Sequence, residues 1–421
     1  SKMSGNGKTR RPRPCARSAR SRSGPYGRSS GRLVGAQVPH ADATAQAALV
    51  DQFESLHTTW RKLEAVDHIW AVSDLHVEHE SNFQFISSLH GFEKDALIVA
   101  GDVCSSLKLL RRTLQTLVRI FRHVFYCVGN HELWLGAEDA SQDSFAKLVA
   151  CYTVASEVGA HTAPVLLDNP AGLEIAILPL QSWYHCNFLK GGPAIDMPRE
   201  HELFMMDSAC AWPSAIARSS TSAELAAFFA RLNTNAIANA RTAKLGNAPV
   251  SEDEENNVEA QRVVISFSHF LPRPELHRTH PSKLGNRLGD VEGSLFLGDQ
   301  VSQLAPDAHI FGHSHFNIDM TLDHIRFLQH PLGNPKERAD SEGVGEFPLC
   351  NQTSKECPLA LVWSRFAGVA QGESDPSELS GWLANLGAQW QARNSCTGRL
   401  RSTRSIDTTD SERISQASGT R

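Results

Sequence analysis

A chain of 421 residues with 41% hydrophobic and 21% charged side chains can bury a substantial core. Its longest apolar runs fall well short of the roughly 20 residues that span a bilayer, so we expect no membrane association. The nine cysteines show neither a C-x-x-C pair nor a regular framework spacing, which favours free thiols in a reducing compartment such as the cytoplasm.

The net charge of −5 is unevenly distributed along the chain. Residues 1–40 contain ten Lys or Arg and neither Asp nor Glu, which predicts a disordered basic leader. The alternatives for this leader are an organellar transit peptide or a nucleic-acid-binding arm. Residues 394–421, rich in Ser, Thr and Arg, predict a disordered tail. The correspondingly acidic remainder argues against non-specific binding of duplex nucleic acid.

Between these ends, apolar runs typical of buried strands alternate with amphipathic segments typical of helices. The first strands are HIWAV before Asp74-Leu75-His76, ALIVA before Gly101-Asp102, and HVFYCV before Gly129-Asn130-His131-Glu132. SLKLLRRTLQTLVRIFRH and EDASQDSFAKLVACYTVASEVG predict helices after the second and third of these strands. LEIAILPL predicts a further strand.

The motif series is then interrupted at about 183–261 by an insertion with a predicted helix near AELAAFFARLNTNAIANARTAKL. It resumes with RVVISF before Ser268-His269 and with HIF before Gly312-His313-Ser314-His315. HIRFLQ and CPLALVWSR predict the last strands. Metal-seeking side chains therefore fall at or just after strand ends, where open α/β sheets place their ligand sites.

These motifs differ in specificity. Asp-x-His alone is expected about once by chance in a chain of this length, and Gly-Asp after a strand is by itself more often a plain turn. Gly-Asn-His-Glu is much rarer, and Gly-His-Ser-His can point two imidazoles the same way from an extended segment. A single His269 would be a core histidine, but in this order and company we interpret it as a ligand.

The ordered set resembles the calcineurin-like metallophosphoesterase superfamily, whose pattern is D-x-H, G-D, G-N-H-E/D, H and G-H-x-H. The resemblance covers roughly residues 66–330 and implies a four-layer α/β/β/α sandwich of two mixed β-sheets flanked by helices. We expect this domain to occupy residues 66–365. By position, the resemblance assigns Asp74, His76, Asp102 and His315 to one metal, and Asp102, Asn130, His269 and His313 to a second.

The residue types suit this chemistry, since carboxylate and amide oxygens mixed with imidazoles favour Mn, Fe or Zn as the two divalent or trivalent ions. A carboxylate such as Asp102 can bridge the ions, which lower the pKa of a shared water and supply hydroxide to attack the phosphorus. The resemblance implies that His131, beside Asn130, is not a ligand and faces the scissile phosphate, where it would protonate the leaving group or stabilise charge on the phosphoryl group. The alternative role of His131 is to orient a ligand through a hydrogen bond.

Departures from the sequence pattern of the protein Ser/Thr phosphatase branch narrow the range of expected substrates. That branch carries G-D-x-V-D-R-G and an Arg before G-N-H-E, whereas this chain has Ser105, Ser106 and Val128 at the corresponding positions. The missing arginines would bind phosphate bidentately. We therefore predict hydrolysis of a phosphomonoester or phosphodiester outside that branch. The alternative function is a metal-free protein-binding scaffold on the same fold, and the oligomeric state stays open.

The insertion is a candidate for substrate specificity because loops over a scaffold commonly carry recognition. Its aromatic side chains either line the mouth of the site or pack the insertion onto the body. These residues are Trp183, Tyr184, His185 and Trp212. Histidines 185, 277 and 280 lie outside the motifs and receive no ligand role. Cys104 and Cys127, beside the motifs, are interpreted as small buried apolar residues rather than as an oxidation-sensitive pair.

Overall fold

The computed structural model describes residues 43–56, 60–137, 139–168, 174–192, 206–221, 223–244, 262–278, 289–337, 359–365 and 368–369. The predicted leader 1–40, the predicted tail 394–421, His280 and parts of the insertion lie outside the described residues. Among the described helices, none has the length and apolar composition needed to cross a bilayer.

Two mixed β-sheets form the centre of the described structure. Numbered in chain order, the strands are β1 (Arg61–Glu64), β2 (His68–Val72), β3 (Ala96–Ala100), β4 (His123–Cys127), β5 (Val165–Asp168), β6 (Glu174–Pro179), β7 (Arg262–Phe267), β8 (Ala308–Phe311), β9 (Ile318–Leu322), β10 (Ile325–Gln329), β11 (Ala360–Ser364) and β12 (Gly368–Val369). The seven-stranded sheet has the order β1-β5-β6-β7-β8-β10-β9, and the five-stranded sheet has the order β12-β11-β2-β3-β4.

Within each sheet, the strands that precede the predicted motifs run parallel to one another. In the five-stranded sheet β2, β3 and β4 are parallel, with Ile69 opposite Ala96 and Ala96 opposite His123. In the seven-stranded sheet β6, β7, β8 and β10 are parallel, whereas β5 pairs antiparallel with β6 and β9 pairs antiparallel with β10. Parallel pairing brings the carboxyl ends of successive strands to one edge of each sheet.

Helices cover the outer faces of the sheets. They are α1 (Ala43–Ser55), α2 (Glu80–Ser88), α3 (Leu107–Ile120), α4 (Ser144–Val158), α5 (Ala223–Arg231), α6 (Thr234–Lys244) and α7 (Leu295–Leu304). Helix α3 buries Leu110, Leu114 and Leu117 at helical spacing, as its sequence predicts. Helix α4 is capped at its start by Asp143, whose side chain accepts from the Ala146 N–H, and at its end by Gly159 with φ 92°.

Alternating residues of each strand face two different cores. On β2, Ile69 and Ala71 pack against side chains of the seven-stranded sheet, whereas Trp70 and Val72 pack against the helices on the other face. On the far side of the seven-stranded sheet, residues such as Phe311 pack against α7. The layers are therefore helices, sheet, sheet and helices, which confirms the predicted four-layer sandwich.

Candidate metal centre

The loops after five strands bring all the predicted site residues together at the carboxyl edge of both sheets. Asp74 and His76 follow β2, Asp102 follows β3, Asn130 and His131 follow β4, His269 follows β7, and His313 and His315 follow β8. The first three strands belong to the five-stranded sheet and the last two to the seven-stranded sheet. The site therefore depends on the stacking of the two sheets.

The backbone at this edge is strained. Five of these residues adopt positive φ angles that non-glycine residues rarely use: Asp74 (52°), His76 (41°), Asp102 (54°), His313 (78°) and His315 (58°). Hydrogen bonds between loops hold this conformation, with Asp74 N–H donating to Gly101 O and His76 N–H to Asp102 O. Such strain costs on the order of 1–3 kcal/mol per residue and clusters where side chains must be aimed at a ligand.

One group of candidate ligands consists of Asp74, His76 and His315. Their ligand atoms all lie within 4.8 Å of one another. His315 Nε2 is 3.4 Å from Asp74 Oδ1 and 3.0 Å from His76 Nε2. A carboxylate and two imidazole nitrogens converging in this way form a set that Mn, Fe or Zn can bind.

A second group consists of Asp102, His269 and His313, again with ligand atoms within 4.8 Å of one another. His269 Nε2 lies 3.3 Å from Asp102 Oδ2. Asn130 adds a neutral oxygen, because its Oδ1 lies 3.2 Å from both His269 Nε2 and His313 Nδ1. This group therefore offers two oxygens and two nitrogens.

Asp102 also belongs to a third group, with His76 and His131, that overlaps the first two. Its Oδ2 is 3.7 Å from His131 Nε2, and its Oδ1 accepts from the His131 backbone N–H. The Asp102 side chain is 2% exposed and the His131 side chain 26% exposed. Asp102 is thus enclosed between the groups, while His131 reaches solvent.

Each buried carboxylate of the site lies beside histidines that alter its pKa. Burial raises the pKa of Asp74, but His315 outweighs burial and brings that pKa to about 2. Burial likewise acts against ionisation of Asp102, yet His131 and His269 hold its pKa well below the usual range. Burial lowers the pKa of His269, but Asp102 raises it to about 9. Both carboxylates are thus ionised and attract positive charge, as ligands of a cation must.

Outward-facing hydrogen bonds orient the imidazoles. His269 Nδ1 contacts Ala100 O at 2.9 Å, His313 Nε2 contacts Val291 O at 3.0 Å, and His315 Nδ1 contacts Glu337 Oε2 at 2.9 Å. Because these acceptors require N–H donors, the opposite ring nitrogens face the centre, where a bound cation would displace any proton they carry. Burial also lowers the pKa of His76 to about 4 and of His313 to about 3, which favours their neutral, metal-binding form. The donor set therefore fits metal ions.

The glycines of the motifs leave room for the ligands. A Cβ on Gly129 would collide with the Asp102 carboxylate, and one on Gly101 would lie 2.5 Å from His269 Nδ1. Gly101 also has φ 82°. Steric space thus explains why Gly precedes Asp102 and Asn130.

Sequence reasoning missed three acidic residues. Glu132 accepts from the backbone N–H groups of Gly129, Asp102 and Val103. Glu337 orients His315 as described above. The third acidic residue, Asp207, accepts from Asn130 Nδ2. Glu132 could have been found as the last residue of its motif, whereas the other two lie in segments without a sequence signal.

Asp207 lies in a 3-10 turn of the insertion, Met206–Ala209. It is buried, and burial raises its pKa against hydrogen bonds from Trp134, Asn130 and Tyr184 that lower it. Trp134, which follows the Gly-Asn-His-Glu motif, lies over the His131 ring with centroids 3.7 Å apart.

The other aromatic residues of the insertion pack it onto the body. Trp183, Tyr184 and His185 are buried, and His185 Nε2 accepts from the Leu295 N–H. Trp183 stacks on Tyr184, and its indole N–H donates to Ser220 O. Trp212 is half-buried and donates to Ser220 Oγ. These residues therefore pack the insertion onto the body of the protein, which is the second of the two alternatives predicted for them.

The two motif-adjacent cysteines are buried, and burial raises the pKa of both thiols. This agrees with their interpretation as small buried residues, since a reactive cysteine needs an accessible thiolate. His277 pairs with Glu292 at 2.5 Å and stays outside the three groups of candidate ligands.

Comparison with known proteins agrees with this geometry. Residues 68–192 match the family model described as calcineurin-like phosphoesterase. The chain is 36% identical over 131 residues to [acyl-carrier-protein] phosphodiesterase PptH of Mycobacterium tuberculosis. That alignment covers 30% of this chain and 40% of the relative, so the match spans less than half of that curated protein.

Among solved structures, the fold matches phosphopantetheinyl hydrolase (PptH) from Mycobacterium tuberculosis with a TM-score of 0.52 and 18% identity. This match covers 71% of the present chain and 97% of that chain. TT1561 of Thermus thermophilus aligns with a TM-score of 0.35 and 9% identity, covering 65% and 92% of the two chains.

Proposed function

We propose that this chain, in which residues 68–192 match the calcineurin-like phosphoesterase family model, is a metal-dependent hydrolase of phosphoric esters. The observation that carries the proposal is the convergence of carboxylate, amide and imidazole ligand atoms from five strand ends. In this proposal residues 66–365 form one catalytic domain, and the segment at about 183–261 is inserted into it.

We assign the candidate ligands to two metal ions. The first ion takes Asp74, His76, Asp102 and His315, and the second takes Asp102, Asn130, His269 and His313. Asp102 is assigned to both because its carboxylate belongs to groups on either side of it. When bound, the ions would supply a water nucleophile activated near neutral pH and positive charge for the phosphate oxygens.

His131 is assigned to the proton transfer. The His131 imidazole is the most exposed of the rings facing Asp102. The Asp102 carboxylate accepts a hydrogen bond from the His131 backbone N–H. In the reaction, the oxygen of water forms a bond to phosphorus and releases one proton to solvent, and the bond from phosphorus to the leaving oxygen breaks. His131 donates its proton to that leaving oxygen, with Asn130 beside it at the substrate.

We further propose that a phosphodiester is the substrate class. The support comes from the relative, whose name describes it as an acyl-carrier-protein phosphodiesterase. Ser105 and Ser106 directly precede α3 and stand where a carboxylate and one arginine of the protein phosphatase branch would be. An acyl carrier protein carrying its phosphopantetheinyl group is therefore the first natural substrate to test.

The experiment is a phosphoester panel on chelator-treated protein reloaded separately with Mn, Zn, Fe and Mg. The panel contains p-nitrophenyl phosphate, bis-p-nitrophenyl phosphate, nucleotides, phosphopeptides and a phosphopantetheinylated acyl carrier protein. We expect metal-dependent hydrolysis of the diesters in excess of the monoesters. Bound metal is measured on the same samples.

Two outcomes would contradict the proposal. A chain that stays near zero equivalents of Mn, Zn or Fe after reloading would support the metal-free scaffold instead. Metal-loaded protein that hydrolyses monoesters only would retain the phosphoesterase assignment and exclude the diester one.

A further inference from the structure

The insertion places one buried carboxylate against two residues of the Gly-Asn-His-Glu loop. Asp207 is 4% exposed, and its Oδ1 accepts from Asn130 Nδ2 at 2.9 Å and from Trp134 Nε1 at 2.7 Å. Asp207 is 77 residues from Asn130 in sequence. This contact joins the insertion to a residue that the proposed function assigns as a metal ligand.

The two hydrogen bonds determine which way the Asn130 amide points. An indole N–H can only donate, so Asp207 Oδ1 serves as an acceptor whatever proton the other oxygen carries. The Asn130 NH₂ group must then face Asp207. Its carbonyl oxygen faces the opposite way, 3.2 Å from His269 Nε2 and from His313 Nδ1.

An amide turned the other way would present two N–H donors and no lone pair to a cation. The side-chain amide of Asn is nearly symmetric in shape, so packing alone distinguishes the two orientations poorly. The hydrogen bond to Asp207 selects the orientation in which the Asn130 carbonyl oxygen faces the candidate metal site.

The Asp207 carboxylate also holds the Trp134 side chain that lies beside His131. The Trp134 indole that donates to Asp207 lies over the His131 ring, with centroids 3.7 Å apart and planes inclined by 32°. Loss of the acceptor would free the indole to turn, and the imidazole would lose this neighbour.

Asp207 is itself held by the packing of the insertion. Its backbone carbonyl accepts from Ser220 Oγ at 2.6 Å, and that hydroxyl accepts from Trp212 Nε1 at 3.1 Å. The Ser220 carbonyl accepts from Trp183 Nε1. The buried aromatic residues of the insertion therefore keep the Asp207 turn at the metal centre.

We propose that Asp207 is a positioning residue that holds Asn130 in its metal-binding orientation and, through Trp134, holds the imidazole of His131. This inference rests on the proposed function, since it takes Asn130 as a ligand. It makes the insertion a structural part of the metal centre.

The test compares Asp207→Ala with Asp207→Asn in the full chain. The Asp207→Asn side chain keeps one acceptor oxygen. The hydrogen bond from the Trp134 N–H favours the orientation that leaves this oxygen at the position of Asp207 Oδ1. Metal-free protein is titrated with Mn²⁺ by calorimetry, with free Mn²⁺ followed by electron paramagnetic resonance. We expect Asp207→Ala to weaken one of two Mn²⁺ sites about 10- to 100-fold, and Asp207→Asn to restore most of that loss.

Asp95 supplies the matched control. It is buried, it accepts from Trp70 Nε1 at 2.9 Å, and it precedes β3 at the strand end opposite Asp102. Asp95→Ala therefore removes an equivalent buried acceptor far from the candidate ligands, and Asp95→Asn keeps one of its two oxygens. We expect both variants to keep the Mn²⁺ affinities of the unmodified chain.

Activity gives a second readout. With saturating Mn²⁺, Asp207→Ala should lower kcat more than it raises KM, and the deficit should be larger for a diester with a poor leaving group, because His131 is less well placed.

Unchanged Mn²⁺ binding in Asp207→Ala would overturn the inference and leave the proposed function standing. Equal losses in Asp207→Ala, Asp207→Asn and Asp95→Ala would also overturn it, since they would reflect a general loss of folding. An unmodified chain that binds no Mn²⁺, and no Zn or Fe in the same titration, would overturn both the inference and the proposed function.

Discussion

The Asp102 carboxylate lies between the imidazoles of both sheets, with Oδ2 3.3 Å from His269 Nε2 and 3.7 Å from His131 Nε2. Because it belongs to two of the three ligand groups, its charge is shared between them. Asp102→Asn keeps the shape of the side chain and removes that charge. We expect loss of metal from both sites together with loss of activity, measured as metal equivalents per chain after dialysis.

A variant that retains two equivalents of metal and near-normal turnover would show that Asp102 does not bridge. Asp290→Asn provides the control, because Asp290 lies in a 3-10 turn outside the ligand groups.

Removal of the His131 imidazole separates proton transfer from metal binding. If His131 protonates the leaving oxygen, His131→Ala should lower kcat by about 10²–10⁴ for an alkyl ester with a poor leaving group. The deficit should shrink for p-nitrophenolate, which leaves without a proton. The fall in kcat should exceed any rise in KM, since the interaction is strongest in the transition state.

Asn130→Ala is the comparison for this variant, because it removes a neutral oxygen at the neighbouring position. It should lose metal, and excess Mn²⁺ should partly restore its rate, whereas His131→Ala should keep both ions. Equal rate deficits for good and poor leaving groups would exclude the acid role of His131. Metal loss from His131→Ala comparable to that from Asn130→Ala would place His131 among the ligands.

At the scale of elements, Glu132 ties the loop after β4 to the loop after β3. Its Oε2 accepts from Gly129 N at 2.8 Å and Asp102 N at 3.1 Å, and its Oε1 accepts from Val103 N at 2.6 Å. Glu132→Gln replaces one acceptor oxygen by an NH₂ group that must face a backbone N–H. We expect the free energy of unfolding to fall by about 1–3 kcal/mol, measured by urea denaturation.

Glu157→Gln on α4 is the control, since Glu157 pairs with Arg111 at the surface and should change the unfolding free energy little. Equal effects of the two substitutions would contradict the role given to Glu132.

At the scale of the whole molecule, buried His309 makes folding sensitive to acid. Its ring lies between Ser266 Oγ at 2.8 Å and Ser268 Oγ at 3.1 Å, and burial lowers its pKa from 6.5 to about 3. Between these values the unfolded chain binds a proton that the folded chain does not. Stability therefore falls as the pH decreases through this window, by at most about 1.4 kcal/mol per pH unit from this residue.

The measurement is the unfolding free energy of metal-free protein between pH 4.5 and 6.5. His309→Gln should reduce the slope of stability against pH, whatever its effect on stability at pH 7. His324→Gln, at an exposed turn, should leave the slope unchanged. An unaltered slope in His309→Gln would show that the buried ring is not the source of the acid sensitivity.

The sequence by itself determined the strands that precede the motifs and the positions of the candidate ligands, and the resemblance of its motifs implied the layers. Apolar runs such as HIWAV and ALIVA specify buried strands, and polar residues directly after them must lie at the strand ends. The resemblance of the ordered motifs then indicated two stacked sheets, and the helices after β3 and β4 formed where their apolar spacing predicted them. These features depend on local periodicity, which a single sequence displays directly.

Only the tertiary structure decided which residues support the candidate ligands. Asp207 and Glu337 act through hydrogen bonds to residues 77 and 22 positions away, and neither position carries a periodic or motif signal. The sequence also left the position of Trp183 open, because this side chain could line the cleft or pack beneath it. The fold places Trp183 in the core. The direction of a side chain in an irregular loop depends on contacts between distant segments, and these exist only once the two sheets and the insertion have packed together.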